Sequence, residues 1–255
     1  MLTALRQGRL MWMLVAAMAV VVQPMAARAT DAAFAQDDRP VADYAQHETR
    51  KAREVLAFTG IGPGMTVIDM EAGGGLYTEI FAKTVGAGGR VYMQNPPLFD
   101  NFAGDAIRAR VADDRLANVV LMRTAFDTLP VADASVDVVT WFLGPHELWY
   151  HPEGYAPGVL GDPDRAFTEI ARVLRPGGYF VALDHRAAPG TPSASGGQTH
   201  RIDEAIVVER AAASGLRLAA TSTLLAHPED DLTKNVFDPS VRRQTDRFLL
   251  KFVRD

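Results

Sequence analysis

A run of three glycines between a strand-like segment and a helix-like segment constrains the fold of this chain most. A β-branched run at residues 66–68 precedes the turn, Gly73, Gly74 and Gly75 form it, and apolar residues then recur at helical spacing. Glycine lets a ligand approach the main chain without a Cβ in the way, and a helix N-terminus favours polar or anionic groups. The sequence therefore predicts a strand, a turn and a helix with a ligand beside the turn.

Strand-like and helix-like segments alternate along the rest of the chain. One predicted helix follows the cap at residues 162–163, and two more occupy residues 105–116 and 200–214. The predicted strands lie at residues 66–68, 90–93, 119–123, 136–142, 179–184, 216–225 and 248–253. Strands separated by helices of this length imply a parallel sheet that is covered on both faces. We expect ligands at the C-terminal ends of these strands.

The composition is typical of one globular α/β domain. Of the 255 residues, 48% are hydrophobic, which is enough for a full core. The formal net charge is −5, so the surface has no general attraction for nucleic acid, and we expect no nucleic-acid partner. Cysteine is absent, which excludes disulfides, cysteine nucleophiles and thiolate metal sites.

The N-terminal segment has the layout of a secretory signal peptide. Two arginines, Arg6 and Arg9, precede an apolar run at residues 10–22, and small residues at Ala27 and Ala29 fit a cleavage site. The apolar run is shorter than the roughly 20 residues that span a bilayer, so a permanent anchor is the less favoured alternative. We therefore predict a signal peptide over residues 1–29, a flexible leader over 30–42 and a folded domain over 43–255. The mature protein is expected to be exported, most simply to the periplasm, with no stable membrane span.

The order of these parts resembles the class I methyltransferases that use S-adenosylmethionine, from about residue 50 onward. The motifs that carry the resemblance are residues 67–69 with Gly73 and Gly75, the turn at 128–130 before the strand at 136–139, the stop at 174–178, and the final pair of strands. The resemblance implies an α/β fold with a Rossmann-like, doubly wound seven-stranded sheet, mostly parallel with a C-terminal antiparallel hairpin. More narrowly, residues 71–79 and 235–239 are similar to those of a group of predicted exported bacterial methyltransferases.

This resemblance implies that S-adenosylmethionine lies over the ends of the first, second and fourth strands. The implied cofactor-binding residues are Asp69, Glu71, Gly73, Gly74, Gly75, Gln94, Asn95, Phe126 and Asp127. Glu71 stands where these enzymes usually have a glycine, and its carboxylate either pairs with the positive charge of the cofactor or caps the next helix. Gln94 and Asn95 stand where an acidic residue usually binds the ribose hydroxyls. Phe126 either packs on the adenine ring or belongs to the core.

The loop after the fourth strand carries the candidate catalytic groups. His146 is our first candidate for a base, with Glu147 as its orienting partner, and His185 at the end of the fifth strand is a further candidate. Asp184, His185 and His200 have the chemistry of metal ligands, but they lack the spacing of a known motif, so we predict no metal site.

The leading hypothesis is an enzyme that moves a methyl group from S-adenosylmethionine to an unidentified small-molecule acceptor. A non-catalytic ligand-binding protein on the same fold is one alternative, and an NAD-dependent oxidoreductase is another. The oxidoreductase requires a third glycine where this chain has Thr78 and usually an acid where it has Gln94, so the sequence disfavours it.

Overall fold

A seven-stranded sheet forms the centre of the computed structural model, which describes residues 31–35 and 39–255. Its strands are β1 (Thr66–Met70), β2 (Arg90–Asn95), β3 (Val119–Arg123), β4 (Val136–Phe142), β5 (Leu174–His185), β6 (Leu216–Ser222) and β7 (Arg247–Arg254). The strand order is β3-β2-β1-β4-β5-β7-β6. The first five strands pair in parallel, and β7 is antiparallel to both β5 and β6. The predicted Rossmann-like sheet with an antiparallel C-terminal pair is confirmed.

Helices connect the strands and cover the sheet. They are α1 (Val41–Thr49), α2 (Ala52–Thr59), α3 (Leu76–Val85), α4 (Asp100–Arg110), α5 (Pro163–Val173), α6 (Ser195–Thr199) and α7 (Glu204–Ala213). Short 3-10 helices lie at Pro97–Phe99, Ala112–Asp114 and Pro145–Trp149. Among the described residues, no helix has the length and apolar character needed to cross a membrane.

Two helix boundaries differ from the sequence prediction for local reasons. The helix predicted over residues 105–116 runs instead from Asp100 to Arg110, because it continues directly from the 3-10 helix at Pro97–Phe99. The helix predicted from residue 200 begins at Glu204, because His200 has a left-handed backbone with φ 55° and Asp203 accepts a capping hydrogen bond from Ala205 N.

The core is divided between the two faces of the sheet. Neighbouring residues of a strand point to opposite faces, so Val67 packs with the apolar faces of α2 and α3, and Ile68 packs with α5 and α7. As predicted, α5 starts at a proline whose preceding residue, Asp162, accepts from Arg165 N. Its buried face carries Phe167 and Ile170. These layers leave the C-terminal ends of the strands open for a site.

A buried ionic cluster connects α3 to the glycine turn. Glu79 of α3 is fully buried, and its carboxylate accepts from Arg110 Nη1 at 2.6 Å and from Arg115 Nη2 at 2.9 Å. The Arg110 guanidinium also binds Asp43 Oδ2 at 2.6 Å and donates through Nε to Gly74 O at 2.8 Å. One side chain therefore ties α1, α3 and α4 to the turn.

The predicted signal peptide lies outside the described residues, and the domain boundaries stay a prediction. Within the predicted leader, Ala33 and Arg39 are buried. Arg39 Nη2 donates to Ala33 O, and its Nε lies 3.6 Å from Glu79 Oε1. These two described leader residues therefore pack against the folded domain.

Candidate active site

The glycine turn follows β1 and opens on one side into a cleft. Glu71, Gly73 and Gly75 all have left-handed backbones, with φ values of 52°, 55° and 80°. A Cβ added to Gly75 would lie 2.8 Å from Met93 Cε and 2.9 Å from Arg110 Cγ, so this glycine is packed against its neighbours. A Cβ added to Gly73 would meet no atom within 4 Å. Gly73 is therefore the point at which a ligand can approach the main chain.

Two side-chain amides at the end of β2 hold the turn in place. Gln94 Oε1 accepts from Glu71 N at 2.9 Å, and Gln94 Nε2 donates to Thr124 O at 2.7 Å. Asn95 Oδ1 accepts from Gly73 N at 2.8 Å, and Asn95 Nδ2 donates to Gly73 O at 3.1 Å. Both residues are buried, and their amides bind main-chain atoms of this chain. Their predicted contact with a ribose stays a prediction.

Asp69 links β1, α3 and β4 beneath the turn. Thr78 Oγ1 donates to Asp69 Oδ2 at 2.6 Å, and Thr140 Oγ1 donates to Asp69 Oδ1 at 3.1 Å. Burial raises the pKa of the Asp69 carboxyl to about 7, although the two hydroxyls oppose the shift. Thr78, which stands where a dinucleotide-binding turn has its third glycine, is thus used to fix the start of α3.

The Glu71 carboxyl lies at the junction of the turn and β4. Its Oε2 accepts from Trp141 Nε1 at 2.8 Å, and a Cβ on Gly144 would lie only 1.9 Å from that oxygen. Burial, followed by the nearby charge of Glu147, raises the pKa of Glu71 well above its ordinary value. The first residue before α3 is Gly75, and α3 has no side-chain cap. Glu71 therefore does not cap this helix.

Phe126 and Asp127 lie away from the cleft wall. The Phe126 ring is fully buried, with its centroid 4.8 Å from that of Trp141. Asp127 Oδ2 accepts from Asp162 N at 3.2 Å, just before α5. Both therefore support the packing between β4 and α5, and their predicted contact with a cofactor stays a prediction.

The cleft beside the turn has a volume of about 710 Å³. Its walls are formed by the glycine turn, by α1 and α4, and by a loop near residue 237. Asp69, Glu71, Gly73 and Gly74 line one wall. Phe102 and Phe237, which are 71% and 59% exposed, also line the cleft. The cleft lining thus combines bare backbone and carboxyl groups with aromatic rings.

His146 lies in a buried polar cluster next to Glu71. Its Nδ1 is 2.8 Å from Asp184 Oδ1, and its backbone N donates to Asp184 Oδ2 at 2.8 Å. Its Nε2 lies 3.1 Å from His200 Nδ1 and 3.3 Å from Glu147 Oε1. Burial alone would lower the pKa of His146, but the charge and hydrogen bond of Asp184 outweigh it and raise the pKa to about 10.

His185 faces a second cavity, of about 320 Å³, that adjoins the cleft. Its Nδ1 lies 2.8 Å from Thr245 Oγ1, and burial together with nearby positive charge lowers its pKa well below the ordinary value. His185 is therefore neutral at physiological pH. The pKa shifts of the two histidines predicted from sequence thus have opposite directions, which the sequence alone did not indicate.

Four arginines line this second cavity. The four are Arg50, Arg242, Arg243 and Arg247. Over the part of the chain that the structure describes, none of them lies within ion-pair distance of a carboxylate. Arg247 is 6% exposed and its Nε has no hydrogen-bond partner. The pairing of β5 with β7 places Arg247 opposite His185, and only this pairing could have revealed it.

Comparisons with known proteins give a consistent result. Residues 68–182 match the family described as a methyltransferase domain. The chain is 30% identical over 138 residues to the ubiquinone/menaquinone biosynthesis C-methyltransferase UbiE of Hydrogenovibrio crunogenus, covering 52% of this chain and 46% of that protein. It is 31% identical over 130 residues to an arsenite methyltransferase of Halobacterium salinarum, covering 50% of this chain and 29% of that protein. The chain thus spans less than half the length of these curated relatives.

Solved structures share the fold over most of their length. An S-adenosylmethionine-dependent methyltransferase from Aquifex aeolicus has a TM-score of 0.55 at 21% identity, with 79% of this chain and 88% of that chain covered. Geranyl diphosphate methyltransferase in complex with S-adenosylmethionine has a TM-score of 0.61 at 18% identity, with 88% and 94% covered. At these identities the likeness describes the fold.

Proposed function

We propose that this chain transfers a methyl group from S-adenosylmethionine to a small anionic acceptor. The match of residues 68–182 to a methyltransferase domain and the class I methyltransferase fold support this. One observation carries the proposal: the cleft beside Gly73 adjoins the arginine-lined cavity. The two share the wall residues Gln46, Arg50, Leu143 and Phe237. A donor in the first space and an acceptor in the second would then meet at a common boundary.

The cleft residues suit a cationic cofactor. S-adenosylmethionine supplies an electrophilic methyl group on a positively charged sulfur. Gly73 would leave room for it against the main chain. Burial raises the pKa of Glu71, which lines the same cleft, and a bound ammonium or sulfonium group would oppose that shift and favour the charged carboxylate as its partner. In this proposal Gln94 and Asn95 act through the turn that they hold.

His185 is the best-placed group to accept a proton from the acceptor. It lines the acceptor cavity, it is neutral because burial lowers its pKa, and Thr245 fixes its ring through Nδ1. Bound S-adenosylmethionine would supply the methyl group, and the acceptor would bond to the methyl carbon as the carbon–sulfur bond breaks. His185 Nε2 would take the acceptor proton in the tautomer whose Nδ1–H donates to Thr245 Oγ1. His146 and Glu147 lie behind it, with the His146 and His185 ring centroids 6.3 Å apart. They would shape the charge at the boundary between the two spaces.

The first test is cofactor binding. Calorimetric titration is expected to show binding of S-adenosylmethionine and S-adenosylhomocysteine and none of NAD, because the turn lacks the third glycine of a dinucleotide site. Binding of NAD alone would overturn the proposal in favour of an oxidoreductase. Binding of S-adenosylmethionine without any release of S-adenosylhomocysteine, across a panel of small carboxylates and phosphates, would favour the non-catalytic alternative.

The class of acceptor follows from the four arginines that line the second cavity. Arg247 is buried, Arg50 is half-buried, and Arg242 and Arg243 are exposed. A buried guanidinium without a carboxylate partner, as at Arg247, is stabilised by an anionic ligand that accepts its hydrogen bonds. We expect inorganic phosphate or benzoate to bind the wild-type protein, with affinity for the bound anion at least tenfold weaker in Arg247→Met. Calorimetry with both anions measures this.

Arg217→Met is the control for this test, because Arg217 is an exposed arginine on β6 that pairs with Asp255 and lies outside the second cavity. It is expected to leave anion affinity unchanged. Failure of both anions to bind, or equal loss in the two variants, would remove the argument for an anionic acceptor and leave the cofactor test unaffected.

We propose in addition that the protein is exported and belongs with the exported bacterial methyltransferases that residues 71–79 and 235–239 resemble. The arginines, apolar run and cleavage site of residues 1–29 support this. The intact mass of the protein from its own host should correspond to a chain that begins near Thr30. A full-length cytoplasmic species would contradict the proposal.

A further inference from the structure

We infer that His146, Glu147 and His200 form a binding site for a divalent transition-metal ion such as Zn²⁺. The candidate ligand atoms are His146 Nε2, His200 Nδ1 and Glu147 Oε1. Their separations are 3.1 Å between the two nitrogens, 3.3 Å from His146 to Glu147 and 3.2 Å from His200 to Glu147. The inference stands on this geometry and does not depend on the proposed methyl transfer.

The three atoms form a nearly equilateral triangle of the size that a metal imposes. Tetrahedral zinc with bonds of about 2.0–2.1 Å places neighbouring ligand atoms roughly 3.3 Å apart. Two imidazole nitrogens and one carboxylate oxygen are a ligand set that suits zinc and its neighbours in the first transition series. The separations and the chemistry of the atoms therefore agree on the same class of ion.

Hydrogen bonds alone cannot satisfy all three edges of this triangle. If both imidazole nitrogens carry hydrogens toward Glu147, two N–H groups face each other across 3.1 Å. If only one nitrogen carries a hydrogen, the other presents its lone pair to the carboxylate, which repels it. A cation at the centre is attractive to all three atoms at once.

His146 is oriented as metal-bound histidines usually are. Its second nitrogen, Nδ1, lies 2.8 Å from Asp184 Oδ1, which leaves Nε2 directed at the triangle. Carboxylates that accept from the distal nitrogen of a metal-bound histidine fix the ring and increase its basicity. Asp184 is fully buried and also accepts from His146 N, so this orientation is fixed by two contacts.

His200 reaches the triangle through unusual backbone packing. Its φ of 55° is a left-handed conformation that costs a non-glycine residue free energy, and such strain is typical of functional sites. The preceding helix α6 lies directly on the 3-10 helix of His146, because a Cβ on Gly196 would lie 2.4 Å from His146 O and one on Gly197 would lie 2.6 Å from Trp149 O. The rings of Tyr150 and Phe237 pack against His200, with centroids 5.2 and 4.9 Å away.

These ligands differ from the set that the sequence suggested. Asp184 lies behind His146, and His185 binds Thr245 through Nδ1. Only His200 of that set points into the triangle. Residues 146 and 200 are far apart in sequence and no short motif joins them, so the fold was needed to find the site.

Metal analysis of the full chain, purified without chelators or a histidine tag, tests the inference. After incubation with Zn²⁺ and desalting, we expect about one zinc per chain, and Co²⁺ is expected to give visible absorption bands of an imidazole-ligated ion. His200→Asn should weaken Co²⁺ affinity at least tenfold while keeping a residue that tolerates the left-handed backbone. His151→Asn, which removes an exposed histidine of the same loop, should leave it unchanged.

Either of two results would overturn the site. One is less than a tenth of an equivalent of zinc on the wild-type protein, which decides the matter even where a variant does not fold. The other is equal Co²⁺ affinity in His200→Asn and His151→Asn, which would show that the ion binds adventitiously elsewhere on the chain.

Discussion

Glu79→Gln is expected to lower the free energy of unfolding at pH 7 by about 3–5 kcal/mol. The Glu79 carboxylate is fully buried and accepts from Arg110 and Arg115, with Lys83 Nζ at 3.2 Å and Arg39 Nε at 3.6 Å. Glutamine keeps the volume but removes the negative charge that contacts all four cations. The loss is thus the cost of weakening the charge compensation in a buried ionic cluster, in which Arg110 keeps its contact with Asp43. Urea unfolding followed by circular dichroism measures it.

The same substitution should change how stability depends on pH. Burial would raise the pKa of Glu79, but the hydrogen bonds from Arg115 and Arg110 outweigh it and lower the pKa to about 2. Since the folded-state pKa is below the ordinary value, the stabilisation is complete above about pH 4.5 and is lost as the pH falls toward 2. The difference in free energy of unfolding between wild type and Glu79→Gln should therefore become smaller as the pH falls from about 4.5 toward 2.

Glu209→Gln is the matched control, because Glu209 is an exposed glutamate on α7. Its effect is expected to stay within about 0.5 kcal/mol at every pH. Two results would show that the cluster does not stabilise the fold in this way. One is a loss of unfolding free energy below 1 kcal/mol for Glu79→Gln, and the other is a difference from wild type that stays the same between pH 5 and pH 3.

The sheet could be predicted because its signals are local. Apolar runs of strand length, glycine stops and the Asp162-Pro163 cap lie within a few residues of the elements that they define, and all seven strands were found. The predicted helix boundaries were wrong where a distant contact or the backbone conformation of one residue sets the end of the helix. The start of α7 is one example, since it depends on the left-handed backbone of His200.

The roles of site residues were harder to predict, because they depend on contacts between segments far apart in sequence. Gln94 and Asn95 were predicted from their position after β2 to contact a ribose, which stays a prediction, whereas the engagement of their buried amides with the backbone of the turn had no local signal. Charged residues on helices usually indicate a solvated face, so the pairing of Glu79 with Arg110 left no local signal. Arg247 likewise gains its position from the antiparallel register of β7.

Gly73→Val is expected to weaken the affinity for S-adenosylmethionine and for S-adenosylhomocysteine at least a hundredfold. This is the largest effect on binding that we expect. A Cβ at this position meets no protein atom within 4 Å, because it points into the cleft that we assign to the cofactor. The fold should persist, since the left-handed backbone costs a valine only about 1–2 kcal/mol. Calorimetry gives the two affinities, and thermal unfolding reports the strain.

Gly64→Val separates this steric block from backbone strain. Gly64 has φ 80°, a Cβ there also meets nothing within 4 Å, and it does not line the cleft. Both variants should therefore lose similar thermal stability, whereas only Gly73→Val should lose cofactor binding. If Gly73→Val kept its affinity within threefold of wild type, or if Gly64→Val lost affinity equally, the cofactor would have to bind elsewhere than against this turn.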